Sequence, residues 1–138
     1  MKQPKTPLLT VDIVIKTKDD KIVFIKRLNP PFKGFFALPG GFVEYGEKVE
    51  EAAIREAKEE TGLDVGDLKL IGVYSNPNRD PRGHVVSIAF LAKEKGGTLK
   101  ASSDAKEVVV LKEPPENLAF DHAIILNDAL KLIKKENY

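Results

Sequence analysis

The sequence predicts a mixed β-sheet held between helices, of either the α/β or the α+β class, in a single domain covering residues 1–138. Three observations lead there. Short runs rich in Val, Ile and Phe lie on both sides of one long segment of Glu, Ala and Lys. That segment has helix-forming composition and a glycine stop, and a second amphipathic segment closes the chain. Periodicity alone does not choose between the two classes. A chain of 138 residues has the usual length of one domain and can bury a real core. No internal repeat, low-complexity tract or linker divides it.

Taken in order, "LLTVDIVIKT" reads as a strand and "KIVFIKR", after the turn "KDDK", as its hairpin partner. "NPPFKGFFALPGG" reads as a loop, punctuated by Pro30-Pro31 and Pro39-Gly40-Gly41. A short extended "FVE" leads to a helix over about 47–61, free of internal Gly and Pro and stopped by Gly62. Its small apolar residues Val49, Ala52, Ala53 and Ala57, with Leu63 beyond, form a narrow stripe that lets the backbone approach a sheet. "LKLIGVYSN" and "GHVVSIAFLAKE" are two long strands around the polar loop "PNRDPR", and "EVVVLK" is a further strand. The last helix spans about 121–135. Asp121 is its expected N-cap, Ile124, Ile125, Leu126, Leu130 and Ile133 its apolar face, and lysines fill its last turn.

Composition narrows the function. A formal net charge of +1 gives no global field towards nucleic acid or membrane, so electrostatic specialisation must be local. The absence of cysteine excludes disulfides, thiolate metal sites and a cysteine nucleophile, and fits a reducing cytoplasm. Two histidines, His84 and His122, are too few and too far apart in sequence for a histidine metal site; structural hydrogen bonding is the expected role. Apolar runs are strand-sized rather than membrane-spanning. The start, "MKQPKTPLLTVDIVIK", carries Asp12 within its apolar part and lacks the features of a secretory signal.

The local specialisation lies in "GGFVEYGEKVEEAAIREAKEETGL". Helical spacing gathers Glu56, Glu59 and Glu60 on one edge, where like charges repel by roughly 0.2–0.5 kcal/mol per pair. Arg55 offsets part of this through Glu51 and Glu59, each four residues away, but cannot neutralise three acids. A solvated polar face is the bland explanation. The glycine bend directly before the helix weakens it, because Gly40 and Gly41 let the backbone approach a ligand and offer a carbonyl. Clustered carboxylates plus a carbonyl make an all-oxygen site suited to Mg²⁺ or Mn²⁺, which complete their shells with water and substrate phosphates.

The same residues resemble a known family. Gly41, Glu47, Arg55, Glu56, Ala57, Glu59, Glu60, Gly62 and Leu63 match the Nudix box, G-x5-E-x7-R-E-U-x-E-E-x-G-U, at every fixed position. The resemblance implies the Nudix α/β/α sandwich around a mixed sheet and hydrolysis of a nucleoside diphosphate linked to another group. It implies that Glu56, Glu59 and Glu60, with the Gly40 carbonyl, hold the divalent cations, and that Arg55 and Glu47 form a supporting ion pair. The general base comes from the box or from a later loop. Glu56 is one candidate; Asp104 and Glu107, in "SSDAKEV", are outside ones.

Beyond the box, "KRLNPPFKGFFALPGGFVEYGE", "VYSNPNRDPRGHVVSIAFLA" and "LAFDHAIIL" are most similar to the ADP-ribose pyrophosphatases, with Pro77 near the spacing associated with them. This implies ADP-ribose as the small-molecule substrate, AMP and ribose 5-phosphate as products, and a homodimer. Other nucleotide sugars or oxidised nucleoside triphosphates are alternative substrates, and a non-catalytic ADP-ribose sensor is the alternative outside enzymes. Arg79 and Arg82, on a loop stiffened by two prolines, are expected phosphate or ribose contacts, and Arg27 (with Lys26) a further one. Phe36, with Phe32 and Phe35, is expected either to stack on adenine or to pack internally.

Overall fold

The computed structural model describes residues 4–138, so the first three residues of the charged start and of the 1–138 domain reading lie outside the described residues. Side-chain alternation along the first strand, β1 (Leu8–Lys16), sorts the core into two layers. Val11, Ile13 and Ile15 face one layer and Val14 the other. β2 (Ile22–Arg27) repeats the division, with Val23 on the first side and Ile22 and Phe24 on the second. A sheet buried on both faces needs a helix on each, and the described residues supply two: α1 (Val49–Thr61) and α2 (His122–Glu136). Ala52, Ala53 and Ala57 of α1 complete the first layer, while Ile125, Leu126 and Ala129 of α2 complete the second.

Among the described residues, seven strands make the sheet. The others are β3 (Phe36–Ala37), β4 (Gly40–Phe42), β5 (Leu63–Tyr74), β6 (Val85–Gly97) and β7 (Lys106–Leu111). β1 runs parallel to β6 from Leu8↔Val85 to Lys16↔Lys93, and β6 pairs antiparallel with β5. β2 pairs antiparallel with β3 and β7. The sheet is therefore mixed and the helices lie on opposite faces, as the resemblance implies.

Two expectations about the strands change. The β1–β2 hairpin exists only at its turn, Lys16↔Ile22; beyond it the strands part. The segment read as a loop, "NPPFKGFFALPGG", holds β3 and β4 instead. β4 pairs antiparallel with β1 through Thr10↔Phe42, Val11↔Gly41 and Asp12↔Gly40. The parting of β1 and β2 gives the glycines room to pair as a strand, a non-local arrangement that local turn signals do not carry.

The predicted helix start near residue 47 shifts to Val49. Glu51 turns back to accept the Lys48 backbone N–H (3.0 Å), satisfying one free donor of the first turn rather than pairing with Arg55. At the other end Gly62 takes a left-handed conformation (φ 83°) and donates its N–H to the Lys58 carbonyl.

Candidate active site

The site begins with the small-residue face of α1. Alanines at 52, 53 and 57 bring this helix so close to the sheet that Glu56, on the same face, is buried with them. Its carboxylate rests against Gly41 of β4: a Cβ added at Gly41 would lie 2.6 Å from Glu56 Oε1 and closer still to the rest of the carboxylate. Only glycine leaves room for this acid beside the strand. Burial pushes the Glu56 carboxyl up from its usual range, and the bond from Arg55 acts against that shift.

Arg55 organises the acidic wall. Its Nε and one terminal nitrogen form a fork on Glu47 (2.7 and 2.9 Å), and that terminal nitrogen also donates to the Phe42 carbonyl (3.0 Å). The other terminal nitrogen donates to Glu56 (2.7 Å) and Glu59 (3.1 Å). The Glu47 carboxyl is pulled down to about 2 by this fork, and Arg55 is held firmly charged by Glu47 and Glu56. Glu60 points to Lys106 at the start of β7, whose Nζ donates to both carboxylate oxygens (2.7 and 2.6 Å).

Asp12 begins the opposite wall. It shares the parity of Val14, so its side chain lies on the α2 face of the sheet. There it accepts from Ser87 Oγ and sits 3.5 Å from His122 Nε2. The Leu38 backbone N–H donates to His122 Nδ1 (2.9 Å), which fixes the ring as neutral with its proton on Nε2. Burial likewise pushes His122 below its usual value. Arg79 forks onto Asp121 (2.8 and 2.6 Å). Burial opposes its charge, but Asp121, Asp12 and Asp80 outweigh that effect and strengthen it. Arg82 forks onto the buried Asp80 (3.1 and 2.9 Å) while remaining half exposed itself. Phe120 has Arg82 and Arg27 over its ring, at 5.3 and 5.5 Å from the centroid.

Between the walls lies a cleft of about 610 Å³. Arg27, Gly40, Arg55, Glu56, Glu59, Glu60, Arg79 and Arg82, all singled out in the sequence, line it together. Phe36 does not. It packs on the α2 side of the sheet, with Lys26 over its ring at 6.0 Å, which corrects the stacking expectation towards the packing one. Asp104 and Glu107 are also absent from the lining; the strand turns their neighbour Lys106 inward instead. Asp121 caps α2 by position only: its side chain makes no cap bond because it holds Arg79. His84 has the expected structural role, with Nε2 donating to the Ser75 carbonyl (3.1 Å). Sequence reasoning missed Asp12, Asp80, Lys106 and Phe120 as cleft residues. A charged Asp12 within a buried strand and the inward parity of Lys106 were usable signals; Phe120 gave none.

The NUDIX domain family matches residues 6–131. The chain belongs to the Nudix family. Over 127 residues it is 58% identical to the ADP-ribose pyrophosphatase of Methanocaldococcus jannaschii, covering 91% of this chain and 74% of that protein. Among solved structures, a MutT/nudix family protein from Enterococcus faecalis aligns with a TM-score of 0.85 at 32% identity, over 98% of this chain and 65% of that one. The NUDIX domain of Shewanella oneidensis NrtR, solved in complex with ADP ribose, aligns with a TM-score of 0.78 at 28% identity, over 94% and 90% of the two chains.

Nudix hydrolases generally need a divalent metal, and the donor chemistry here suits one. Carboxylates beside a glycine strand form an all-oxygen set for a hard cation, and the Gly41 cradle keeps Glu56 against the backbone. Among the described residues, however, no three acidic or histidine side chains converge as a ready-made cage. Arg55 ties Glu56 and Glu59 to one of its nitrogens, while Lys106 holds Glu60 separately. No described helix is long and apolar enough to cross a membrane.

Proposed function

We propose that this Nudix chain hydrolyses the pyrophosphate bond of ADP-ribose to AMP and ribose 5-phosphate, using Mg²⁺, with Mn²⁺ able to substitute. The observation that carries the reading is one cleft whose acidic wall, Glu56, Glu59 and Glu60, faces a second wall bearing Arg27 and Arg82. A diphosphate needs both a cation holder and anion contacts. The high identity to an ADP-ribose pyrophosphatase supports the choice of substrate.

Glu56, Glu59, Glu60 and the Gly40 carbonyl would hold the cation, which when bound neutralises pyrophosphate charge and lowers the pKa of water. The protein's own groups do the rest. Arg55, anchored on Glu47 and the Phe42 carbonyl, keeps Glu56 and Glu59 oriented towards the cleft. Arg82 offers a half-exposed guanidinium to the phosphates or ribose. Arg79, its donors already engaged by Asp121 and the Val85 carbonyl, shapes the wall more than it reaches for ligand. Water oxygen bonds to one phosphorus as the bridging P–O bond breaks; the bridging oxygen leaves with the other phosphate, and a carboxylate takes the water's proton. Glu56, the least exposed of the three acids, is our choice for that carboxylate.

The test is product analysis with Mg²⁺ and a panel of ADP-ribose, other nucleotide sugars, nucleoside triphosphates and dinucleoside polyphosphates. ADP-ribose is expected to be cleaved fastest, with Glu56→Gln and Glu60→Gln each slowing turnover at least ~10²-fold. Rapid cleavage of another compound with ADP-ribose left intact would sink the substrate assignment. Tight ADP-ribose binding without turnover would mark a sensing module instead. We also expect a cytoplasmic homodimer, to be checked by fractionation and light scattering.

A further inference from the structure

We propose that Lys106 is the resident counter-ion of the glutamate cluster and competes with the divalent cation for Glu60. This rests on the metal site of the proposed function. Three acids on one helix edge share two internal cations, and these differ in how they are held. Arg55 is fixed from behind by three hydrogen bonds to Glu47 and the Phe42 carbonyl, which anchor it beside Glu56 and Glu59. Lys106 has no such anchor for its charge: the hydrogen bonds of its Nζ both go to Glu60. Its backbone is set by the pairing of β7 with Arg27 of β2, but a flexible four-carbon stem carries the ammonium.

The surroundings give that stem somewhere to go. Lys106 borders both the 610 Å³ cleft and a smaller cavity of about 190 Å³ next to it, and its side chain is 41% exposed. Glu60 borders both spaces too, but it is only 17% exposed and has a shorter stem rooted in the packed α1. A cation that takes Glu60 must therefore break the Lys106 bonds and displace the ammonium rather than the acid. Released on the cleft side, Lys106 puts its positive charge where a diphosphate brings negative charge. The pair thus lowers metal affinity in the empty protein while preventing the acids from repelling one another.

The test is Mn²⁺ binding to the substrate-free full chain by electron paramagnetic resonance, comparing wild type, Lys106→Met and Lys106→Arg. A partly exposed ion pair contributes up to ~1 kcal/mol, so Lys106→Met is expected to bind Mn²⁺ about fivefold more tightly. Lys106→Arg, which keeps the charge, is expected to stay within about twofold of wild type. Metal-free Lys106→Met should also melt below wild type, with the gap closing at saturating Mn²⁺. Unchanged or weaker Mn²⁺ binding by Lys106→Met, while wild type binds, would overturn the counter-ion role alone. Absence of Mn²⁺ binding by wild type would overturn the metal site together with it.

Discussion

Gly41→Ala tests the geometry of the site most directly. The added methyl would lie 2.6 Å from Glu56 Oε1 and nearer the rest of the carboxylate, where ordinary contact begins at 3.4 Å, an overlap of at least about 0.8 Å. Neither side yields easily. Gly41 is paired with Val11 in the sheet, and Glu56 is fixed by the close packing of α1 and by the bond from Arg55. Overpacking of this kind costs ~1–3 kcal/mol, which for a domain of this size lowers Tm by roughly 3–12 °C. A carboxylate displaced by close to an ångström from its working position loses ~10²-fold in turnover. The assays are thermal unfolding and steady-state hydrolysis of ADP-ribose. The double variant Gly41→Ala/Glu56→Ala isolates the cause, because removing the carboxylate removes the clash. Its stability should recover towards that of Glu56→Ala, while activity should not recover. Additive destabilisation in the double variant, or wild-type turnover in Gly41→Ala, would refute the reasoning.

Other expectations follow from the ion pairs and the buried histidine. Glu47 is held at about 2 against an ordinary 4.5, so its pairing stabilises the fold above pH ~4.5 and loses that effect as pH falls towards 2. Tm differences between wild type and Glu47→Gln should therefore be largest near neutrality and shrink across that window. His122 is pushed below its ordinary 6.5 by burial, so its stabilisation is complete above that value and declines as pH drops below it. Replacing it with Asn, which keeps an acceptor for the Leu38 N–H, should flatten Tm against pH below 6.5 even if the neutral-pH Tm falls. Arg79→Met leaves Asp121 without its partner in a largely buried setting and should cost ~2–4 kcal/mol in urea unfolding. Arg82→Met removes the side-chain partner of the buried Asp80, leaving it the Arg82 backbone N–H, and should cost ~1–3 kcal/mol in stability as well as raise KM for ADP-ribose.

The acidic wall was legible because it is local. Glu56, Glu59, Glu60 and Arg55 sit on one stretch of helix, where spacing fixes which side chains are neighbours, and the glycines before it announce close approach. Even there, the burial of Glu56 beside an exposed Glu59 could not be read from the helix alone. It depends on which edge meets β4. The opposite wall is assembled from β1, the 75–84 loop and the start of α2, segments separated by tens of residues, so its pairings have no short-range signature. Arg79 illustrates this: a loop arginine looked free to meet phosphate, and Asp121 looked free to cap a helix, until the fold brought them within 2.6 Å.

The sequence by itself determined the family chemistry, the two helices, most strand positions and the acidic edge of α1, since all of these follow from spacing within single elements. Only the tertiary structure decided that the glycine bend is a paired strand, that Phe36 belongs to the packed α2 face, and that Phe120 and Lys106 belong to the cleft. The physical reason is the same in each case. Local propensity fixes a segment's shape, but which of its faces is buried, and beside which charge, depends on partners far away in the chain.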